Sequence, residues 1–318
     1  MENVKVSNME LFIDCVDESI ELLYEFYHKP YFDLLELTIK NILAGEVLND
    51  IEKEDADKLQ KIYDKIANVD FNVEDVRKAM QVIVLKCFKE MRISNWNTTP
   101  DTLGIFFSYF VQKFYNKDKK LNILDPLCGT GNLLLTLANY LENETNLFAC
   151  DNDIYMTKLT SMTADLLGHN VEIYLNDTMN LNLYGMDVIV YDMPKSEAPT
   201  DKSEYFPYKA MLKYVEMLNQ DGVLLGMVEN DFFNYDKNKA FKEELMKTSS
   251  IVGIVELPDS MFNSIKPKII LVVQKRVVKD RKCFMVKLPS FTDVKLFNES
   301  LRQIEAWFNE NYKNKEEN

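Results

Sequence analysis

Two histidines, His28 and His169, are all that 318 residues offer. Neither stands at metal-ligand spacing from a cysteine or glutamate, so no zinc or non-haem iron centre is expected. The five cysteines, Cys15, Cys87, Cys128, Cys150 and Cys283, are odd in number, scattered and without a C-x-x-C pair. That excludes a disulfide scaffold and fits a reduced, cytoplasmic protein. Nine glycines and nine prolines are too few for a collagen-like or low-complexity chain. Nowhere do eighteen apolar residues run together, and Met1-Glu2-Asn3-Val4-Lys5 has no export-signal character, so no membrane span or secretion is expected. Positive charge is also short. Against 37 Lys and Arg stand 51 Asp and Glu, a net −14, which repels phosphate backbones unless basic residues are gathered locally.

What is present, at 47% hydrophobic and 28% charged, suits one substantial domain with a smaller satellite. From Met9 to Met91 apolar residues recur at helical spacing, as in Leu11, Phe12, Cys15 and Val16, then Leu34, Leu35, Ile39 and Leu43. Four helices are predicted, punctuated by Pro30 and Gly45, with Asn72 or a neighbour capping the last. A small all-α N-terminal domain is therefore expected over 1–94, ending in the polar stretch 94–99. Beyond it the pattern turns to β-rich runs at 121–125, 147–151, 171–175, 188–191, 223–228, 251–257 and 269–274, several of them separated by helical segments. This alternation predicts a doubly wound α/β domain over 95–278 with a mostly parallel, seven-stranded sheet. The last two runs have a short link and can pair as a hairpin, giving one antiparallel strand. Residues 279–318 form a short extension ending in an amphipathic helix marked by Phe297, Leu301, Ile304 and Phe308.

In such a sheet, ligands bind beyond the carboxyl ends of the strands. After the first run comes Asp125-Pro126-Leu127-Cys128-Gly129-Thr130-Gly131-Asn132-Leu133-Leu134, a turn whose glycines let the backbone approach a ligand before a helix begins. The third glycine of a dinucleotide fingerprint is replaced by Leu134, which counts against NAD. Asp151, followed by Asn152, ends the second run, where a carboxylate either accepts from both ribose hydroxyls or is a solvated turn acid. Asp177, followed by Thr178, comes after the third, where it accepts from an adenine amino group or caps a helix. Asp192-Met193-Pro194-Lys195 follows the fourth.

Together these residues resemble the N6-adenine DNA methyltransferases, particularly the modification subunits of type I restriction systems and their YtxK-type relatives. The string Asp125-Pro-x-Cys-Gly-Thr-Gly-x-Leu-Leu is similar to that family's first motif and far more specific than a bare G-x-G. Thr98-Thr99-Pro100-Asp101 looks like its Thr-Pro motif, and the resemblance runs from about Asn95 to Arg276. It implies a class I, Rossmann-like methyltransferase fold binding S-adenosylmethionine and needing no metal. By position, Thr99 with Pro100 and the loop of Asp125, Pro126, Gly129, Thr130, Gly131, Asn132 and Leu133 would hold the methionine end. Asp151 with Asn152 would hold the ribose, and Asp177 with Thr178 the adenine. Asp192, Met193 and Pro194 correspond to the catalytic motif, whose acid and following carbonyl accept from the target amine.

The chain departs from that family at the acceptor end. Lys195 stands where the motif has an aromatic that stacks on a flipped base, a contact worth about 1–3 kcal/mol. Tyr205 or Phe206 would supply a substitute ring, or would simply cover the sheet edge, and Lys195 would reach a phosphate or remain solvated. A sequence-specific recognition domain commonly buries about 1,000–2,500 Å², and only 279–318 follows the last run. The one basic concentration is Lys266, Lys268, Lys275, Arg276, Lys279, Arg281, Lys282 and Lys287, with Asp280 its only acid. Three readings follow: an N-methyltransferase on nucleic acid with Asp192 polarising the amine, a methyltransferase on a non-DNA acceptor, or a non-catalytic cofactor-binding module whose helical N-terminus engages a protein partner.

Overall fold

A computed structural model describes residues 7–93, 98–197, 205–236, 238–262, 266–279 and 282–312. The strands are β1 (Leu121–Asp125), β2 (Thr145–Asp151), β3 (Val171–Leu175), β4 (Met186–Asp192), β5 (Leu218–Glu229), β6 (Ser250–Glu256), β7 (Lys268–Gln274) and β8 (Phe284–Lys287). They form one sheet in the order β3-β2-β1-β4-β5-β7-β6-β8. β7 alone runs antiparallel to its neighbours β5 and β6, so the doubly wound, mostly parallel sheet with one antiparallel strand stands as expected. The strand count does not: among the described residues there are eight strands, not seven. The extra one pairs parallel to β6. Four residues long, with Phe284 and Val286 buried and Met285 and Lys287 exposed, it has an edge strand's one-sided pattern, and its apolar run, Cys283 to Val286, is short and flanked by lysines.

Alternation along the central strands sends side chains to two cores. Val188, Val190, Val223, Leu225 and Met227 join one core, which also takes in residues of α5 (Asp101–Phe114), α6 (Asn132–Asn139) and α10 (Val294–Asn311). Ile189, Tyr191, Leu224 and Val228 join the other, with α8 (Phe206–Met217) and α9 (Ala240–Leu245). The C-terminal segment is thereby built into the domain: Ile304 and Phe308 of α10 pack in the same core as Phe284.

The four expected N-terminal helices are α1 (Asn8–Tyr27), α2 (Tyr31–Ala44), α3 (Lys53–Asp64) and α4 (Val73–Met91). Ser7 and Glu10 close a capping box on α1, and Asn72 caps α4 by accepting from the Glu74 amide at 2.8 Å. Their common core continues into Leu135 of α6 and into Met156, Leu159 and Met162 of α7 (Ile154–Leu167). The helical unit is thus seated on the outer face of the two helices that follow β1 and β2. Of the polar stretch 94–99, residues 94–97 lie outside the described residues.

Arg77 of α4 locks this seat. Its guanidinium is 1% exposed and donates to both Glu74 oxygens at 2.9 and 2.8 Å, to both Asp101 oxygens at 2.9 and 2.8 Å, and to Asn132 Oδ1 at 3.0 Å. Removing one partner of a buried, hydrogen-bonded ion pair strands the other charges, at a cost of about 3–5 kcal/mol. Arg77→Ala is therefore expected to lower the unfolding free energy by that amount in a denaturant titration. A loss below about 1 kcal/mol would contradict the role assigned to this residue.

Candidate active site

The loop after β1 is shaped by two glycines in the left-handed region, Gly129 at φ 52° and Gly131 at φ 76°. At Gly131 an added Cβ would meet Thr160 Cγ2 at 2.7 Å, so the position is closed to side chains by both conformation and space. Thr160 of α7 fixes the loop by donating its hydroxyl to the Gly129 carbonyl at 2.9 Å. Cys128 tucks its buried thiol beside that hydroxyl, a packing role.

Four acids gather on the carboxyl rim of β1 to β4. Asp125 is 1% exposed, and its Oδ1 accepts from the Leu127 amide at 3.1 Å. Burial, then the charges of Asp151 and Asp192, push its carboxyl well above the ordinary value. Asp151 accepts from the Gly129 amide at 2.9 Å with one oxygen and from the Asp153 amide at 2.9 Å with the other. Burial raises its pKa, while those amides oppose the rise. Asp177 caps a short 3₁₀ turn by accepting from the Met179 amide at 2.8 Å. The capping alternative read from sequence is thus realised, beside the cavity and not instead of it. The Thr178 hydroxyl is shared with Tyr214 at 2.8 Å.

Asp192 closes the rim. Its Oδ2 accepts from the Thr99 hydroxyl at 3.0 Å, and its Oδ1 accepts from the Lys268 ammonium. Lys268 also donates to the Met193 carbonyl at 2.8 Å. The Met193 side chain is core, 2% exposed, so this residue presents only backbone to the site. Lys195 is exposed at the mouth. Tyr205, 3% exposed, is packed against Tyr208 and Tyr235 with ring centroids 4.8 and 4.7 Å away, which removes it as a stacking platform. Phe206 lines the cavity.

These groups surround one cavity of about 770 Å³, within the size range of small-molecule sites. Thr99, Asp125, Pro126, Gly129, Thr130, Asn132, Leu133, Asp151, Asn152, Asp177, Thr178, Asp192, Met193 and Pro194 all line it. Pro100 and Gly131 do not: they precede α5 and α6 and shape the wall from behind. Asn132 is partly a strut, donating to the Thr99 carbonyl at 2.6 Å and to Asp101 at 3.1 Å.

Lys266, Lys268 and Glu229 also line the cavity, although strand-end reasoning passed over them. Glu229 is the last residue of the parallel strand β5, whereas the signal for the two lysines is the antiparallel pairing. A strand running backwards contributes its first residues, not its last, to the functional rim, and Lys268 indeed lies opposite Glu229. Arg77 has one local partner, Glu74, at i−3, but the partners that tie it to the site are 24 and 55 residues away.

A family model for the YtxK N-terminal helical domain matches residues 9–88, and one for N-6 DNA methylase matches 99–318. The uncharacterised protein YtxK of Bacillus subtilis is 32% identical, over 79% of this chain and 82% of its own length. The methylase subunit of the type I restriction enzyme MjaVII of Methanocaldococcus jannaschii is 20% identical, over 71% of this chain and 51% of that protein. A crystal structure from Listeria monocytogenes, assigned to the class I S-adenosylmethionine-dependent methyltransferases, superposes with a TM-score of 0.80 at 27% identity. It covers 94% of this chain and is itself covered over 98%.

The buried Asp125 yields a signed pH prediction. Because its folded pKa is raised above the ordinary 3.8, the acid's favourable contribution is complete below that value and is lost as pH climbs toward the folded pKa. Asp125→Asn keeps the Oδ1 acceptor without the charge. Its thermal midpoint without ligand should match the parent near pH 4 and exceed it by a margin that grows as pH rises toward the folded pKa, by about 2–4 °C for each kcal/mol recovered. A gap that does not vary with pH would sink this account.

Proposed function

This chain belongs to the N-6 DNA methylase family and is an S-adenosylmethionine-dependent methyltransferase resembling the adenine-specific DNA enzymes. From that premise we propose that Asp192 and the Met193 carbonyl hold the acceptor amine for methylation. The observation that carries this is the convergence of both acceptors on one nitrogen. The Lys268 ammonium is bound by Asp192 Oδ1 and, at 2.8 Å, by the carbonyl one residue on, so the pair is already spaced to receive an N–H₂ group. Pro194 stiffens the backbone that presents this carbonyl.

The remaining cavity fits the cofactor in size and chemistry. We assign the methionine end to Thr99 and to the loop of Asp125, Pro126, Gly129, Thr130, Asn132 and Leu133, with Pro100 and Gly131 holding these in shape. Asp151 and Asn152 take the ribose, and Asp177 with Thr178 the adenine. When bound, S-adenosylmethionine supplies an electrophilic methyl group on a sulfonium. The chain's part is to orient the amine lone pair, to draw on its N–H bonds through Asp192, and to exclude water. Thr99 steadies Asp192 through the second carboxylate oxygen.

For the acceptor we propose nucleic acid, with Phe206 as the ring nearest to replacing the missing aromatic. A protein partner on the helical unit is the corresponding proposal for assembly, as the restriction relative is itself a subunit. No helix among the described residues is long and apolar enough to cross a membrane, and the free cysteines support a cytoplasmic setting. A second reading, transfer to a non-DNA amine, is favoured by the lack of a stacking ring at position 195 and by the burial of Tyr205.

Labelled-methyl transfer into DNA, RNA and protein fractions separates these acceptors. Asp192→Ala should cut transfer by about a hundredfold or more while calorimetry shows cofactor affinity nearly intact. Undiminished transfer would refute the assignment. Asp151→Ala, by contrast, should weaken S-adenosylmethionine and S-adenosylhomocysteine binding by about tenfold or more, and equal affinity would remove the ribose role.

A further inference from the structure

Lys268 occupies the two hydrogen-bond acceptors that the amine is to use. We propose that it is a specificity-determining placeholder, released only by an amine carried beside a phosphate group. This rests on the reading of Asp192 and Met193 given above.

The register explains how a residue of β7 reaches the end of β4. Asp192 lies opposite Met227 of β5, and Lys268 lies opposite Glu229, two residues further along the same strand. The lysine side chain spans β5 to bring its ammonium to the Asp192 carboxylate and the Met193 carbonyl. Both partners are largely shielded, with side chains 13% and 21% exposed. A neutral amine entering this position gives Asp192 hydrogen bonds but no positive charge, and it leaves the Lys268 ammonium unpaired in a desolvated place.

The neighbouring acids offer Lys268 little refuge. Lys266 already engages Asp231 at 2.8 Å and Glu229 at 3.4 Å. The compensating anion must then arrive with the acceptor. A phosphate next to the amine completes an exchange in which the amine takes Asp192 and the Met193 carbonyl while Lys268 turns to the phosphate. Lys195 lines the same mouth and adds a second cation on the anion's path. An amine lacking such a group meets a filled site, and a cationic amine sets a second positive charge beside the displaced Lys268.

The test measures binding to the full chain in the presence of S-adenosylhomocysteine, using adenosine, adenosine monophosphate, a short adenine-containing single-stranded oligonucleotide and a lysine-containing peptide. The parent should bind the oligonucleotide at least about tenfold more tightly than adenosine, with a salt slope exceeding that of Lys268→Met by about 0.7. Lys268→Met should bind adenosine more tightly than the parent, and Lys268→Arg should keep the phosphate preference. A monophosphate that matches the oligonucleotide would place the phosphate on the acceptor nucleotide itself; a gain confined to the oligonucleotide would place it on a neighbour. The proposal is overturned by equal parental affinity for adenosine and oligonucleotide, by unchanged adenosine binding in Lys268→Met, by preference for the peptide, or by no binding at all. Failure of methyl transfer to every fraction, with the exchange intact, would instead overturn the catalytic reading alone.

Discussion

Carboxylates brought together on one shielded rim must each find a local partner, and this site is organised around that requirement. Asp125, Asp151, Asp177 and Asp192 line one cavity, and each is answered locally. Asp125 and Asp151 meet backbone amides of the loops they shape, Asp177 meets the start of a 3₁₀ turn, and Asp192 meets a lysine and a threonine. The compensation is incomplete at Asp125, whose burial holds its carboxyl toward the neutral form. Perturbed carboxyls of this kind cluster at functional sites.

The helical unit belongs to the same arrangement. Arg77 satisfies Asp101, the first residue of α5, and Asn132, the first residue of α6. Asn132 in turn holds the Thr99 carbonyl at 2.6 Å, and the Thr99 hydroxyl reaches Asp192. A continuous run of hydrogen bonds therefore joins α4 to the acceptor end of the cavity. Fully satisfied, such a network rigidifies the seat of the helical unit against the site.

Much of this was legible in the sequence, for physical reasons that differ by element. The central parallel strands β1 and β4 declare themselves as short apolar runs because they are buried on both faces, and α7 has readable ends because Asp153 and Gly168 cap it. β8 stayed hidden because an edge strand needs only two buried side chains. The acids at strand ends were readable from topology alone, whereas their hydrogen-bond commitments were not: Asp177 serves as a cap and also lines the cavity. Tyr205 and Phe206 are adjacent and chemically alike, yet one is sealed in an aromatic cluster and the other lines the cavity. Only the start of α8 decides between them. Of the basic concentration that begins at Lys266, Arg281 lies outside the described residues, and Lys266 and Lys268 line the cavity.

The Asp192-Met193-Pro194-Lys195 segment is best understood through what its chemistry retains. An amine needs one side-chain acceptor and one backbone carbonyl at fixed spacing, and neither requirement constrains the side chain at 193, which is free to pack in the core. The fourth position is different, since an aromatic there contributes stacking energy and a lysine contributes charge. Stacking holds a base by its face, without regard to the backbone that carries it. A charge at the mouth holds the phosphate and leaves the face to another ring. With Lys268 already seated between the two acceptors, entry becomes an exchange of ion pairs. Discrimination then comes from the charge an acceptor carries as much as from the shape of its base.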